Sequence, residues 1–369
     1  MPVTDLERQF DRDRGRTADA PTEIPLNGWK DVAWRLFQSI GSDRILLTAA
    51  GVTFYVLLAL VPTLTAVVSI YGLFNDSTTV VEQVSLLYGI VPTGGLDLIR
   101  EQLIRLTAKP ADTLGLTLII SLSLALWSSS AGVKALFEAM NIAYHETERR
   151  SFLVVNGLGL VFTLGGALAA VLVLAIVLAM PPLLNVVPLP VGAEWAVRIV
   201  GYVVMLVIIW LGLTALYRWG PSREAAKWRW ITPGALVAII LLGLASVAFS
   251  WYVTNYSDYG EAYGSLGALI GLMTWIWISS TIVILGAELN SEVEHQTAQD
   301  STTGAPEPLG KRGAHMADSI GEVNPLDQEN VALKRPVTTR ERRPFAWSNL
   351  ALVGPVALLG RVLHRNSAR

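Results

Sequence analysis

Between Thr48 and Phe74 the chain reads TAAGVTFYVLLALVPTLTAVVSIYGLF, and no charged side chain interrupts it from Arg44 to Asp76. A helix rises only 1.5 Å per residue, so about 20 apolar residues are needed to cross the hydrocarbon core of a bilayer. In lipid a backbone must satisfy its own N–H and C=O groups, which a helix does and an isolated open strand does not. The stretch therefore reads as a membrane-spanning helix. Five more of the same kind follow, at Thr113–Val133, Phe152–Met180, Ile199–Tyr217, Ile231–Tyr256 and Ala262–Ala287, none with a charge. The fold class expected is an all-α integral membrane protein, a bundle of six transmembrane helices.

Composition points the same way. Of 369 residues 52% are hydrophobic and 16% charged, where soluble domains carry about a quarter charged residues. There is no cysteine, which removes disulfide frameworks, thiolate nucleophiles and Cys-ligated metals. The net charge of −2 gives no broad field for nucleic acid, and no nucleic-acid partner is expected.

Lys and Arg set the orientation. Lys30, Arg35 and Arg44 precede the first span, Lys134, Arg149 and Arg150 follow the second, and Arg218, Arg223, Lys227 and Arg229 follow the fourth. The connection between the last two spans has Asp258 and Glu261 but no base, and that between the third and fourth has only Arg198. Positive connections stay in the cytoplasm, so both termini are expected inside. Residues 1–28 have Arg8, Asp11, Arg12, Asp13, Arg14 and Arg16 but no apolar core, and read as a disordered cytoplasmic tail rather than a cleaved signal. Residues 29–294 are the six-span domain and 295–369 a mostly disordered cytoplasmic tail.

Two flanking segments carry more pattern. In the long outer connection Leu96, Ile99, Leu103 and Leu106 recur at helical spacing, as in an amphipathic helix that lies on the surface or caps the bundle. Residues 345–363 have an apolar core, Leu350–Leu359, too short to span, and follow Lys334, Arg335, Arg340, Arg342 and Arg343. They read either as a free tail or as a segment adsorbing to anionic lipid.

Three constellations are candidates for function. Ser130, Lys134, Glu138, Asn141 and His145 are spaced three or four apart, so they share a helical face. That face is either ordinary solvated surface or one wall of a polar path. Lys134 and Glu138 have the spacing of an ion pair. Glu288 abuts the last span, and Lys134, Glu138, Asn141 and Glu288 together make up the candidate polar pathway. In that span Gly260, Gly264, Gly267 and Gly271 form a stripe that lets a neighbouring helix approach. Pro62, inside the first span, lacks an N–H and is expected to kink it. Trp251, Tyr252, Tyr256, Tyr259 and Tyr263 form an interfacial belt. The four histidines show no metal-ligand spacing, and no phosphate-binding loop or nucleophile elbow occurs. No metal, cofactor or catalytic site is expected.

Four segments resemble the YihY/virulence factor BrkB family of bacterial inner-membrane proteins. They are AAGVTFYVLLALVPTL (Ala49–Leu64), LWSSSAGVKALFEAMNIAYH (Leu126–His145), LYRWGPSREAAKWRWITPGALVA (Leu216–Ala238) and YGSLGALIGLMTWIWISSTIVILGAELNSE (Tyr263–Glu292). The chain departs from the family at Ala59 and Val61, where serine and phenylalanine usually precede the proline. The resemblance implies a multi-pass protein of the inner membrane. The family once bore the label ribonuclease BN, but a phosphodiesterase needs clustered metal-binding carboxylates or histidines, or an acid–base pair, and none is present. The expected function is a transporter or lipid-translocating protein, with membrane lipids as partners and a lipidic or amphiphilic substrate. The alternative is a scaffold that recruits partners through its cytoplasmic loops and tail.

Overall fold

The computed structural model describes residues 3–72, 116–186, 192–256 and 266–325. Residues 1–322 form one compact unit; of the second, 323–369, only the first three residues are described. Among the described residues the helices are α1 (Val3–Asp13), α2 (Leu26–Ser42), α3 (Ile45–Gly72), α4 (Leu116–Ala143), α5 (Phe152–Val186), α6 (Ala193–Trp219), α7 (Trp228–Tyr256), α8 (Leu266–Glu294) and the short α9 (His315–Asp318). A single antiparallel bridge between Ala226 and Thr302 is the extent of strand-like pairing among them.

The six long apolar helices pack in chain order around a ring. α3 lies on α4, α4 on α5, α5 on α6, α6 on α7 and α7 on α8, and α8 closes back on α3. α8 also reaches α4 and α2, so it is the hub. Its partners explain its length: the apolar stretch ends near Ala287, but the helix continues to Glu294 because α2 and α7 flank its last turns.

The outside of the ring is apolar. Leu153, Val161, Ile199, Val200, Ile240, Leu244, Val247 and Trp251 are all strongly exposed, an area that would drive aggregation in water and that lipid accommodates. Four helices among the described residues are long and apolar enough to cross a membrane, or five if α2 and α3, bent by 60° at their junction, count as one span. α2 itself is not apolar, since it buries Asp31 and Arg35.

The tightest packing is at one end of the ring, where the basic connections gather. Trp230, Tyr144, Tyr217, Phe137, Ile45 and Met140 are fully buried there. α7 and α8 meet almost backbone to backbone: a Cβ on Gly234 would sit 1.9 Å from the Gly286 carbonyl oxygen, and one on Gly286 would sit 2.4 Å from the Tyr217 hydroxyl. Pro233 lacks an N–H and disturbs the first turns of α7. Asn290 on α8 repairs them, since its Oδ1 accepts from Gly234 N–H at 2.7 Å and its Nδ2 donates to the Ile231 carbonyl at 3.0 Å.

The two polar flanks differ from the expectation of disorder. Residues 3–13 are helical, and Arg14 and Arg16 are buried. Arg14 forks onto Asp31 of α2 at 2.5 and 2.6 Å, and Arg16 donates to the carbonyls of Gln296 and Gly321. From 296 to 322 the chain folds back over the basic end, tied by Arg312, which donates to the carbonyls of Ala298, Gln299, Glu307 and Ala317. Composition reads both flanks as too polar to order. Here the charges themselves supply the order, because each buried guanidinium finds carboxylate or carbonyl oxygens. The outer amphipathic segment with Leu96–Leu106, Gly260, Gly264, Tyr259, Tyr263 and the apolar tail 345–363 lie outside the described residues.

Candidate functional site

The last turns of α8 carry Glu288, Asn290, Ser291, Glu292 and Glu294, and every residue from 286 to 294 is buried. Three acids so placed need partners, because burying an unpaired carboxylate costs several kcal/mol. Two have them. Glu294 accepts two hydrogen bonds from Arg223 Nη2, at 2.9 and 2.8 Å, and a third from the Ser301 hydroxyl. The Arg223 guanidinium lies over the Tyr144 ring, 4.6 Å from its centroid. Glu292 accepts from Arg35 Nε at 2.5 Å, while Arg35 Nη2 donates to the Glu292 carbonyl and to Gln296 Oε1.

Glu288 is the exception. It is fully buried, and among the described residues no N–H or hydroxyl donor reaches its carboxylate oxygens, whose hydrogen-bonding neighbour is the Asp43 carboxyl. Its electrostatic neighbours are two further acids, Asp43 and Glu292. Asp43 ends α2 at the sharp corner into α3. Its Oδ2 is 3.2 Å from His145 Nε2, just past the end of α4. Exposure rises along this chain of groups, from 0% at Glu288 through 14% at Asp43 to 42% at His145, so it leads from the interior to solvent. Arg44 and His145 are the two non-glycine residues with positive φ, 51° and 54°, among the described residues. Backbone in that region is uncommon for such side chains and is held by its surroundings. The hydrogen bond to Asp43 raises the His145 pKa from its ordinary value, against the effect of burial.

The four pathway residues do not share one environment. Lys134 turns across to α5, donating to Asn156 Oδ1 at 2.9 Å and lying over the Trp127 ring. Glu138 is exposed, and no ion pair joins it to Lys134 among the described residues. Asn141 is buried and committed: its Oδ1 accepts from Ser222 N–H at 2.7 Å, and its Nδ2 donates to Glu148. Glu148 is in turn clamped by Arg150, whose side chain holds the carboxyl down at about 2. Asn141 therefore pins the connection between α6 and α7. Only Glu288 has polar atoms left over. Pro62 lies within α3, a single helix from Ile45 to Gly72, and the side chains beyond Ala59 are not among those described. Gly267 and Gly271 are buried in α8, but a Cβ on Gly271 meets no atom within 4 Å. The close approach on this helix is at Gly286.

Asp43 and Glu294 were not singled out in sequence, and Arg35 and Arg223 counted there only towards orientation. A signal was present for the acids, since Glu288, Glu292 and Glu294 follow an apolar span directly, two of them four residues apart. No such signal marks their partners. No group of three His, Cys, Asp or Glu side chains is placed to hold a metal among the described residues.

The chain matches the family model for virulence factor BrkB over residues 36–309. It is 31% identical to a ribonuclease-like protein, YfkH, of Bacillus subtilis over 45% of this chain and 62% of that one. It is 23% identical to a UPF0761 membrane protein of Aggregatibacter aphrophilus over 71% of this chain and 91% of that one. A UPF0761 membrane protein of Neisseria meningitidis is 28% identical over 71% of this chain and 63% of its own length. No solved structure matches. The chain belongs to the virulence factor BrkB family, and with its apolar helices it is a multi-pass protein of the bacterial inner membrane.

Proposed function

We propose that this BrkB-family chain is a non-enzymatic translocator of lipidic or amphiphilic molecules, with six spans and both termini in the cytoplasm. The observation that carries the reading is Glu288, a fully buried carboxyl to which no cation or other donor is bonded among the described residues, on the hub helix of a closed ring. Stability alone does not favour keeping such a group; buried acids of this kind mark sites where a membrane protein handles a solute or an ion. Among the described helices the apolar ring carries few charges within its spans, which suits an amphiphile better than a small ion. On this reading residues 3–42 and 296–322 close the cytoplasmic end, and translocation requires that closure to loosen.

The topology has its own test. Reporter fusions after Glu146, Arg223 and Gln296 should report cytoplasm, and those after Asp97, Val187 and Tyr259 the outer side. Orientation alternates along a polytopic chain, so one inverted fusion among the short connections ends the six-span arrangement.

Transport is tested in proteoliposomes with fluorescent single-chain and diacyl lipid probes. Wild-type protein should move a probe across the bilayer faster than protein-free vesicles do, and Glu288→Ala should lose most of that excess. Rates equal to protein-free vesicles for both probe classes would leave the second reading, a scaffold. That alternative draws its support from the ordered platform that residues 296–322 build over the basic end.

A further inference from the structure

We propose that Glu288, Asp43 and His145 form a proton-binding site that connects the solvent at the basic end to the buried last turns of α8. The inference deepens the translocation reading by supplying a coupling ion, and its use in transport rests on that reading, but the site stands or falls by itself.

The geometry points to a proton rather than a metal cation. Glu288 and Asp43 are carboxyls from different elements, one on α8 and one at the α2–α3 corner, and they are neighbours in a place closed to water on the Glu288 side. Two carboxylates so close repel each other unless one proton is shared between them. A shared proton turns one carboxyl into a donor to the other, which fits the side-chain contact between Glu288 and Asp43 and the lack of any other donor to the Glu288 oxygens among the described residues. His145 completes the arrangement at the wet end. Its ring bonds to Asp43, a contact that favours the protonated imidazole, and it is the most exposed member of the chain of groups. The balance is simple. A water-derived proton makes the ring an imidazolium, the Nε2 proton passes to Asp43, and Asp43 passes one to Glu288. The ring is left neutral, and the site as a whole has gained one proton.

Other titratable groups stand beside the site: the His315 ring centroid is 5.8 Å from that of His145, and the buried Tyr144 hydroxyl has no donor or acceptor bonded to it among the described residues. From α8 itself Glu292 faces Glu288, but it is occupied by Arg35 and has His295 beside it at 3.6 Å. From the end of α4 comes Tyr144, which is stacked under Arg223, and Arg223 is bound to Glu294. α3 offers Ile45, Ala49 and Val52, and α7 offers Ile231, Ala235 and Ala238, apolar throughout. No cation is therefore aimed at Glu288 among the described residues, and protonation is the remaining way to neutralise it. The positive φ at both Arg44 and His145 shows that the two backbone corners bearing Asp43 and His145 are held in uncommon conformations.

The test uses the purified full-length protein and needs no substrate. Infrared difference spectra recorded across a pH series should show a protonated-carboxyl stretch that is lost as the pH rises. Glu288→Gln should remove that band while the protein remains folded, because the amide imitates the protonated acid in shape and charge. Asp43→Asn should shift the band, and His145→Gln should slow its pH response without removing it. If Glu288→Gln fails to fold, the shift in Asp43→Asn still decides the matter. A band unchanged in both variants overturns the proposal. So does a band that sodium at fixed pH abolishes, since the site is then a cation site. A proton site that survives in a protein that moves no lipid probe would sink the translocation reading alone.

Discussion

Arg223→Ala and Glu294→Ala should each destabilise the protein by about 3–5 kcal/mol, the cost of leaving one member of a buried ion pair without its partner. The side chains are 1% and 0% exposed, and both Glu294 oxygens bind the same guanidinium nitrogen. Either truncation therefore strands a full charge where water does not reach. The effect spreads further than the pair, because Ser301 also binds Glu294 and Arg223 covers the Tyr144 ring. Changing both together, Arg223→Met with Glu294→Leu, should be much milder than the sum of the single losses, since a buried pair replaced by apolar groups of similar size is close to neutral. Thermal unfolding of the purified variants in detergent measures this. Single variants within about 1 kcal/mol of wild type would mean the pair is solvated and the basic end open.

The same pair shows where reading from sequence stops. The class of fold was legible because lipid imposes a demand that composition alone displays: long charge-free stretches with a helix as their one satisfying state. Their ends were less legible. α4 runs on from Val133 to Ala143 and α8 from Ala287 to Glu294, because helices leave the apolar layer while still packed on neighbours, and hydropathy falls before the helix does. The order in the two polar flanks was not legible at all. Arg35 and Glu292 are 257 residues apart, and Arg16 reaches a carbonyl 305 residues away. No local pattern announces contacts at that range, and a charge-rich segment reads as solvated until its partner is seen. Of the candidate pathway, Glu288 was picked out by its position beside a span. Its neighbour Asp43 was not, since a lone aspartate at a helix end is ordinarily a surface residue.

Gly234→Ala and Gly286→Ala should each abolish most of the folded, detergent-stable protein, whereas Gly271→Ala should not. Two terms of opposite sign decide the outcome. Alanine favours a helix over glycine by about 0.8–1 kcal/mol, so in the absence of a clash all three changes would stabilise. At Gly234 the new methyl carbon would lie 1.9 Å from the Gly286 carbonyl oxygen and 2.6 Å from the Asn290 side chain. Neither can step aside: the first is backbone, and the second is fixed by its bonds to Gly234 and Ile231. α7 and α8 would have to move apart, which breaks those bonds and opens the core around Tyr217 and Ala238. Overpacking costs about 1–3 kcal/mol when side chains yield, and here it should exceed that range and overwhelm the gain in propensity. At Gly286 the methyl would meet the Tyr217 hydroxyl at 2.4 Å and the Gly234 carbonyl oxygen at 2.8 Å, and the Tyr217 hydroxyl is held by its bond to the Val283 carbonyl. At Gly271 nothing lies within 4 Å of the methyl, so the propensity term stands alone and stability should hold or rise. Size-exclusion yield and thermal unfolding midpoints of the three variants give the comparison. If Gly271→Ala is the damaging change and Gly234→Ala is tolerated, α8 packs through its glycine stripe and not through the crossing at Gly286.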